Sequence, residues 1–286
     1  MKSLPSHPPQ ELAPLNIPFI LRQAEIRPSK GLGQNFLSDP QILEKIVGAA
    51  EISGSDHVLE IGPGLGSLTR HLAVHAQKVT AVEIDRKLFP LLVAHMQPFT
   101  NTQLIRGDIL ELDPAELMGN PGYIVAANIP YYITSAVIRH LLESSCKPAR
   151  IVLTVQQEVA RRICAQPGEM NLLALSVQVF GHPGVVFHIP AGAFYPPPRV
   201  DSAVIRIDLF DQPFLPEAQL DRFFQVIRAG FSQKRKTLRN SLSHGLHLSG
   251  NDAAGWLLQA GIQPDRRAET LSLAEWKALI EKYPQE

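Results

Sequence analysis

The sequence predicts an α/β fold: a mostly parallel, doubly wound sheet with an antiparallel hairpin at one end, followed by a small all-helical C-terminal domain. Three observations carry this expectation. Short apolar runs alternate with helical patterns through the first half of the chain, and such alternation implies right-handed crossovers between parallel strands. A glycine-rich turn, Gly62-Pro63-Gly64-Leu65-Gly66, follows a strand pattern and opens a helical one. Beyond Asp211-Gln212-Pro213 the strand patterns stop and only helical ones remain.

Each element has a local reason. Residues 1–24 include Pro5, Pro8, Pro9, Pro14 and Pro18 without clear periodicity, which predicts a mobile leader. Asp39 is placed to cap a helix, with Pro40 in its first turn and Ile42, Leu43, Ile46 and Val47 on one face. Strands are expected over 57–61, 79–84, 102–106, 123–127 and 151–155, where apolar runs are bounded by turn residues. Helices are expected over 67–74, 86–96 and 134–142. The runs 185–189 and 203–209 are joined by a proline-rich loop with no room for a crossover helix, so they should pair antiparallel at one end of the sheet. Helical patterns over 220–229, 234–242, 252–260 and 273–282 close the chain. The expected division is therefore a leader over 1–24, an α/β domain over 25–211 and a helical domain over 212–286.

The 286 residues hold 27 basic and 27 acidic side chains, a formal net charge of zero. A globally basic nucleic-acid binder is excluded, so any such contact must be local. The clearest basic cluster is Lys234-Arg235-Lys236 with Arg239; smaller ones are Arg161-Arg162, Arg266-Arg267 and the trio Arg22, Arg27 and Lys30. Two cysteines, Cys146 and Cys164, lack metal-binding spacing and point to a reducing compartment. No apolar stretch is long enough to span a membrane and the N-terminus lacks a signal-peptide pattern, so a cytoplasmic, metal-free, monomeric protein is expected.

Three successive strand ends describe a ligand. The spacing after Glu60 is Gly-x-Gly-x-Gly, not the Gly-x-Gly-x-x-Gly of pyrophosphate binders. Glu83 ends the next strand, where an acid pairs with ribose hydroxyls in such folds. Asp108 follows the third and can accept from an adenine amine, with Ile109 covering the ring. Adenine and ribose without a phosphate contact fit S-adenosylmethionine, and the set resembles the class I methyltransferases that use it, a Rossmann-like fold.

Asn128-Ile129-Pro130-Tyr131 supplies the acceptor side. An adenine amine is a poor nucleophile because its lone pair is delocalised into the ring. If its two protons bond to the Asn128 side-chain oxygen and the Pro130 carbonyl, the nitrogen can pyramidalise toward a methyl donor, a gain of positioning and electrostatics. Tyr131 offers a stacking face, and Phe194 is the candidate for the other face. A base within a helix cannot reach such a site, so the target must be flipped out or unpaired.

The chain resembles the ribosomal RNA adenine N6-dimethyltransferases. The matching segments are 33–37, 60–66, 82–85, 107–108, 128–131, 194–203 and 231–242; the leader lies outside them. The resemblance implies that Asn35 and Leu37 enclose the methionine part of the cofactor, that Gly62 and Glu83 hold its amino-acid and ribose parts, and that Asp108 reads its adenine. Asn128 would serve cofactor and target alike, and Gly64, Ile84 and Ile109 complete the expected set. It further implies transfer of two methyl groups to each of two adjacent adenosines in a hairpin loop near the 3′ end of small-subunit ribosomal RNA, in an immature subunit. Lys234, Arg235, Lys236 and Arg239 would then contact phosphates, positioning the enzyme without reading bases.

Alternatives remain at this level. The Asn-Ile-Pro-Tyr form of the tetrapeptide gives weight to the large-subunit branch of the family, whereas residues 231–242 favour the small-subunit branch. An assembly factor that has lost transfer, and a DNA adenine methyltransferase, share parts of the pattern.

Overall fold

A computed structural model describes residues 12–283. The packed chain begins earlier than expected. Helix α1 (Ile17–Gln23) starts from Asn16, whose side chain accepts from Phe19 N, with Pro18 in the first turn. Ile17 and Leu21, one helical turn apart, are buried in a small cluster with Phe36, Leu65 and Leu88. This corrects the reading of residues 1–24 as a mobile leader, at least from Ile17 onward; residues 1–11 lie outside the described residues. Seven residues with two buried positions are too few to show a helical period between prolines.

After β1 (Phe36–Leu37) comes α2 (Pro40–Ala50). Asp39 Oδ1 accepts from Gln41 N and Ile42 N, and Leu43, Ile46 and Val47 are buried as the pattern requires. The sheet then builds through β2 (His57–Ile61), α3 (Ser67–His75), β3 (Lys78–Glu83), α4 (Phe89–Met96), β4 (Thr102–Arg106), α5 (Pro114–Met118), β5 (Ile124–Asn128), α6 (Thr134–Glu143) and β6 (Arg150–Gln156). Helix α4 begins at Phe89 rather than Arg86 because Pro90 fits only a first turn. Parallel pairing joins β2 to both β3 and β5, β3 to β4, and β5 to β6. The chain thus winds one way from β2 through β3 and β4, then returns to the other side of β2. Ligands of open α/β sheets bind beyond the strands' carboxyl ends where the order reverses. Here that crevice lies past β2 and β5.

The chain continues with α7 (Gln157–Ile163), α8 (Leu172–Gln178), β7 (Gly181–Ile189), β8 (Phe194–Tyr195) and β9 (Ser202–Leu209). The seven-stranded order is β4-β3-β2-β5-β6-β9-β7, with the antiparallel hairpin of β7 and β9 at one end. Strand β8 leaves this sheet and pairs antiparallel with β1, Phe36 opposite Tyr195 and Leu37 opposite Phe194. Helices α9 (Glu217–Gly230), α10 (Leu238–Gly245), α11 (Gly250–Gln259) and α12 (Leu273–Glu281) follow.

Two compact units result. Among the described residues, one comprises 12–157 and 186–206, the other 158–185 and 207–283. The boundary expected at 211/212 therefore shifts, and the helical unit takes in α7 and α8, which the sequence patterns did not reveal. Long-range bonds explain the grouping: Gly168 N and Met170 N both donate to the Glu269 carbonyl. Helix α10 starts at Leu238, not Lys234, with Thr237 at the N-cap. Cys146 and Cys164 are free thiols. Among the described residues no helix is long and apolar enough to cross a membrane.

Candidate active site

A cleft of about 320 Å³ opens at the carboxyl ends of β2, β3, β4 and β5. Every residue named above as a cofactor contact lines it, and so does Pro130. Its floor is the turn after β2, where Gly62 and Gly64 have φ of 70° and 60°. A Cβ on Gly64 would sit 3.0 Å from the Phe36 ring, so this position needs glycine for conformation and for space alike.

Glu83 ties the turn to the next strand. Its Oε2 accepts from Gly64 N at 2.8 Å and its Oε1 from Asp85 N at 2.7 Å. Burial pushes its carboxyl upward, opposed by these backbone N–H groups. Each oxygen keeps a second lone pair for a ligand hydroxyl. Asp85 Oδ2 in turn accepts from Gln34 Nε2 at 2.6 Å, fastening the segment before β1 to the rim. Asp108 Oδ1 accepts from Leu110 N at 3.0 Å, the local turn bond of a loop aspartate. Ile109 is buried beside it and Ile84 is half exposed.

Glu60 is a site residue that the sequence patterns left without a role. It is 1 % exposed, lines the cleft, and its Oε2 has no hydrogen-bond partner. Burial pushes its carboxyl up to about 8, the Thr69 hydroxyl opposing and the Glu83 charge adding to the rise. An acid inside the apolar run Val58-Leu59-Glu60-Ile61 was the available signal, since carboxylates are almost never fully buried unless paired. The described lining holds Glu60, Glu83 and Asp108 but no lysine or arginine. Such a cleft repels a pyrophosphate and suits hydroxyls, amines and cations.

At the acceptor side, Asn128 ends β5 and its Nδ2 donates to the Asn35 carbonyl at 3.0 Å. A carbonyl can only accept, so this bond assigns the amide and leaves Oδ1 as the free acceptor. Asn35 Nδ2 donates to Gly33 O at 3.1 Å. Gly33, at φ 59°, packs against the tetrapeptide: a Cβ there would lie 3.1 Å from Pro130 Cβ. The Pro130 carbonyl accepts from Ile133 N at 3.2 Å and has one lone pair left. The Tyr131 side chain lies outside the described part of the structure. Tyr132, 64 % exposed, lines the cleft instead.

Phe194 is not where a second wall for a base would stand. It is 4 % exposed, packed in the main core with Leu37, Leu43 and Ile46, and does not line the cleft. Side chains alternate along a strand, so in the two-residue β8 the inward Phe194 leaves Tyr195 facing out. The basic cluster also differs from expectation. Lys234, Arg235 and Lys236 lie in the turn before α10 and Arg239 in its first turn, all exposed and without an ion pair among the described residues.

Fold and cleft together are those of a class I methyltransferase. The chain belongs to the ribosomal RNA adenine dimethylase family, whose sequence model matches residues 27–285. It is similar to a ribosomal RNA small subunit methyltransferase A of Dehalococcoides mccartyi, 45% identical over 280 residues, covering 95% of this chain and 96% of that one. Another of the same description, from Pelotomaculum thermopropionicum, is 43% identical, covering 95% and 96%. Among solved structures it is similar to a dimethyladenosine transferase from Plasmodium falciparum, TM-score 0.74, 27% identical, covering 87% of this chain and 97% of that one. It is also similar to the 23S rRNA methyltransferase ErmE, TM-score 0.73, 28% identical, covering 88% and 100%.

Proposed function

We propose that this protein transfers methyl groups from S-adenosylmethionine to the N6 amines of two adjacent adenosines in a hairpin loop near the 3′ end of small-subunit (16S) ribosomal RNA, two to each. It does so on immature small subunits in the cytoplasm. The observation that carries the proposal is Asn128, which lines a cleft with carboxylates and whose amide nitrogen is engaged by the Asn35 carbonyl, leaving its oxygen available as an acceptor. The identity of the relatives supports the small-subunit target, since they are small-subunit enzymes at 43–46% identity.

The residues present fit the cofactor. Glu60, buried with an unpartnered oxygen, would receive the ammonium group of the methionine part, and Glu83 the ribose hydroxyls. Asp108 would accept from the adenine amine with Ile109 against the ring. When bound, S-adenosylmethionine supplies a methyl group carried on a positive sulfur.

On the target side the chain's own groups position the base. Asn128 Oδ1 and the free lone pair of Pro130 O would each accept one N6 proton, drawing the amine out of conjugation and directing its lone pair along the line of transfer. Attack by that lone pair would take the methyl group that the cofactor supplies, the electron pair of the broken methyl–sulfur bond staying on sulfur. The nitrogen becomes cationic in that step, and the two acceptors stabilise its protons before one passes to water. A neutral methylamine with one remaining proton results, so in the second transfer only one of the two acceptors has a proton to hold. Tyr131 would stack on the base; such stacking is worth roughly 1–3 kcal/mol.

Transfer of tritiated methyl from S-adenosylmethionine to small subunits lacking the modification tests this. Label should appear as dimethyladenosine at two adjacent positions. Label confined to large-subunit RNA or to DNA, or none in adenosine, would refute it.

A further inference from the structure

The trio Arg22, Arg27 and Lys30 has no part in the chemistry described so far, and the structure gives two of its members a shared setting. A second cavity, of about 340 Å³, lies between α1 and the exposed side of β8. Leu21 and Ile26 give it an apolar lining, the Tyr195 side chain forms one wall, and Arg22, Arg27 and the single acid Glu25 line it as well. Arg22, Arg27 and Lys30 are all exposed, and none of their charged groups has an ion-pair or hydrogen-bond partner among the described residues. Tyr195 is 40 % exposed, on the opposite side of β8 from the buried Phe194.

One residue pair links this cavity to the cleft, although the two have no lining residue in common. Tyr195 is directly opposite Phe36 across the β1–β8 ladder, and the Phe36 ring covers Gly64 in the cofactor turn. Leu21, buried beside Phe36, faces the same cluster that supports the turn. Phe36 and Leu21, packed in one cluster, thus each line one of the two concavities. A flat aromatic, an apolar floor and two unpaired guanidinium groups match a nucleotide: the ring stacks on a base, and the cations attract the phosphate.

We infer that this cavity is a flanking-nucleotide site, which holds the base and phosphate of a nucleotide next to the adenosine being methylated. The inference rests on the RNA reading of the cleft proposed above. When one adenosine is turned into the cleft, the strand on either side must cross the protein surface, and this cavity is the adjoining surface with a stacking face and a surplus of positive charge. It also explains why α1 is packed against the cofactor turn: the helix shapes the second cavity while supporting the first.

The test uses the full-length protein with a short RNA hairpin whose loop carries two adjacent adenosines, labelled in turn with 2-aminopurine on either side of them. Binding of the wild type should quench one label, and Tyr195→Ala should abolish that quenching and weaken the RNA about tenfold. Tyr195→Phe should restore both. The double variant Arg22→Gln/Arg27→Gln should lower the slope of log affinity against log salt by about 0.7 per charge removed. In each variant, affinity for S-adenosylmethionine by calorimetry should stay within twofold of wild type, which also reports that the variant is folded; the exposed arginine pair serves if Tyr195→Ala does not fold. Unchanged quenching together with an unchanged salt slope overturns the inference while leaving the methyl-transfer reading intact. A wild type that neither binds nor methylates the hairpin or small subunits overturns both.

Discussion

Asn128 Nδ2 donates to the backbone carbonyl of Asn35, 3.0 Å away across 93 residues of sequence. One hydrogen bond thereby joins the end of β5 to the segment before β1 and leaves the amide oxygen of this cleft-lining residue available as an acceptor. Asn128→Ala should lower kcat by roughly 10²–10³-fold, the cost of removing one well-placed polar group from a transition state. Binding of S-adenosylmethionine should remain measurable by calorimetry, because the other strand ends are untouched. Loss of binding as severe as the loss of turnover would contradict this division of roles.

Glu83→Ala should show the opposite order. It removes the acceptor for Gly64 N and Asp85 N as well as for the cofactor. Affinity for S-adenosylmethionine should fall by about 10–100-fold, the loss of one charged hydrogen bond at roughly 1.5–3 kcal/mol. Turnover at saturating cofactor should fall far less. Calorimetry and saturation kinetics on the same preparation separate the two.

Glu60 makes stability and binding depend on pH. Its carboxyl is raised from the ordinary range to about 8 by burial, so the folded protein keeps a proton that the unfolded chain has released. Stability should fall as pH rises from about 5 toward 8, by up to roughly 1.4 kcal/mol per unit from this group, and level off above. Urea unfolding across that range should show a flatter profile for Glu60→Gln. An ammonium group placed beside Glu60 favours the carboxylate, so S-adenosylmethionine should release a proton on binding at pH 7. Calorimetry in buffers of different ionisation enthalpy should detect that release in the wild type and not in Glu60→Gln.

Leu21 tests whether α1 is part of the fold. It is 2 % exposed in the cluster with Phe36 and Leu65. Leu21→Ala should destabilise the protein by about 2–4 kcal/mol in denaturant unfolding, and should weaken the cofactor because Leu65 belongs to the glycine turn. An unchanged midpoint would mean that the helix contributes nothing to the packed state.

The basic turn before α10 should act through salt. Replacing Lys234, Arg235 and Lys236 by glutamine should weaken binding to small subunits and reduce its dependence on ionic strength by roughly 0.7–0.9 for each phosphate no longer neutralised. Methylation of a minimal hairpin should be nearly unaffected. A salt slope equal to that of the wild type would return these residues to an ordinary solvated surface.

The central strands of the parallel sheet were legible because they are buried on both faces and read as apolar runs, as Val58-Leu59 and Ile124-Val125-Ala126-Ala127 do, whereas the edge strand β4 is only partly buried. The residues at their carboxyl ends, Gly62, Glu83, Asp108 and Asn128, were legible for the same reason: the fold fixes where a strand ends relative to the crevice. The helix over 17–23 was hidden because two buried positions among prolines carry no measurable period. Helices α7 and α8 were missed in a stretch where no clear period shows, and their place with the helical unit depends on bonds such as Gly168 N to Glu269 O.

By itself the sequence determined the fold class and put the candidate cofactor residues and the tetrapeptide at strand ends, since these follow from local periodicity and from residues next to strand ends. Tertiary structure alone decided which side chains face the cleft. It turned Phe194 into the core and Tyr195 outward, because their strand pairs with β1 and only one of two neighbours can point inward. It also left Glu60 buried with an unpartnered oxygen, because the apolar neighbours that enclose it come from elements distant in the chain, and burial of that kind is not written in any one segment.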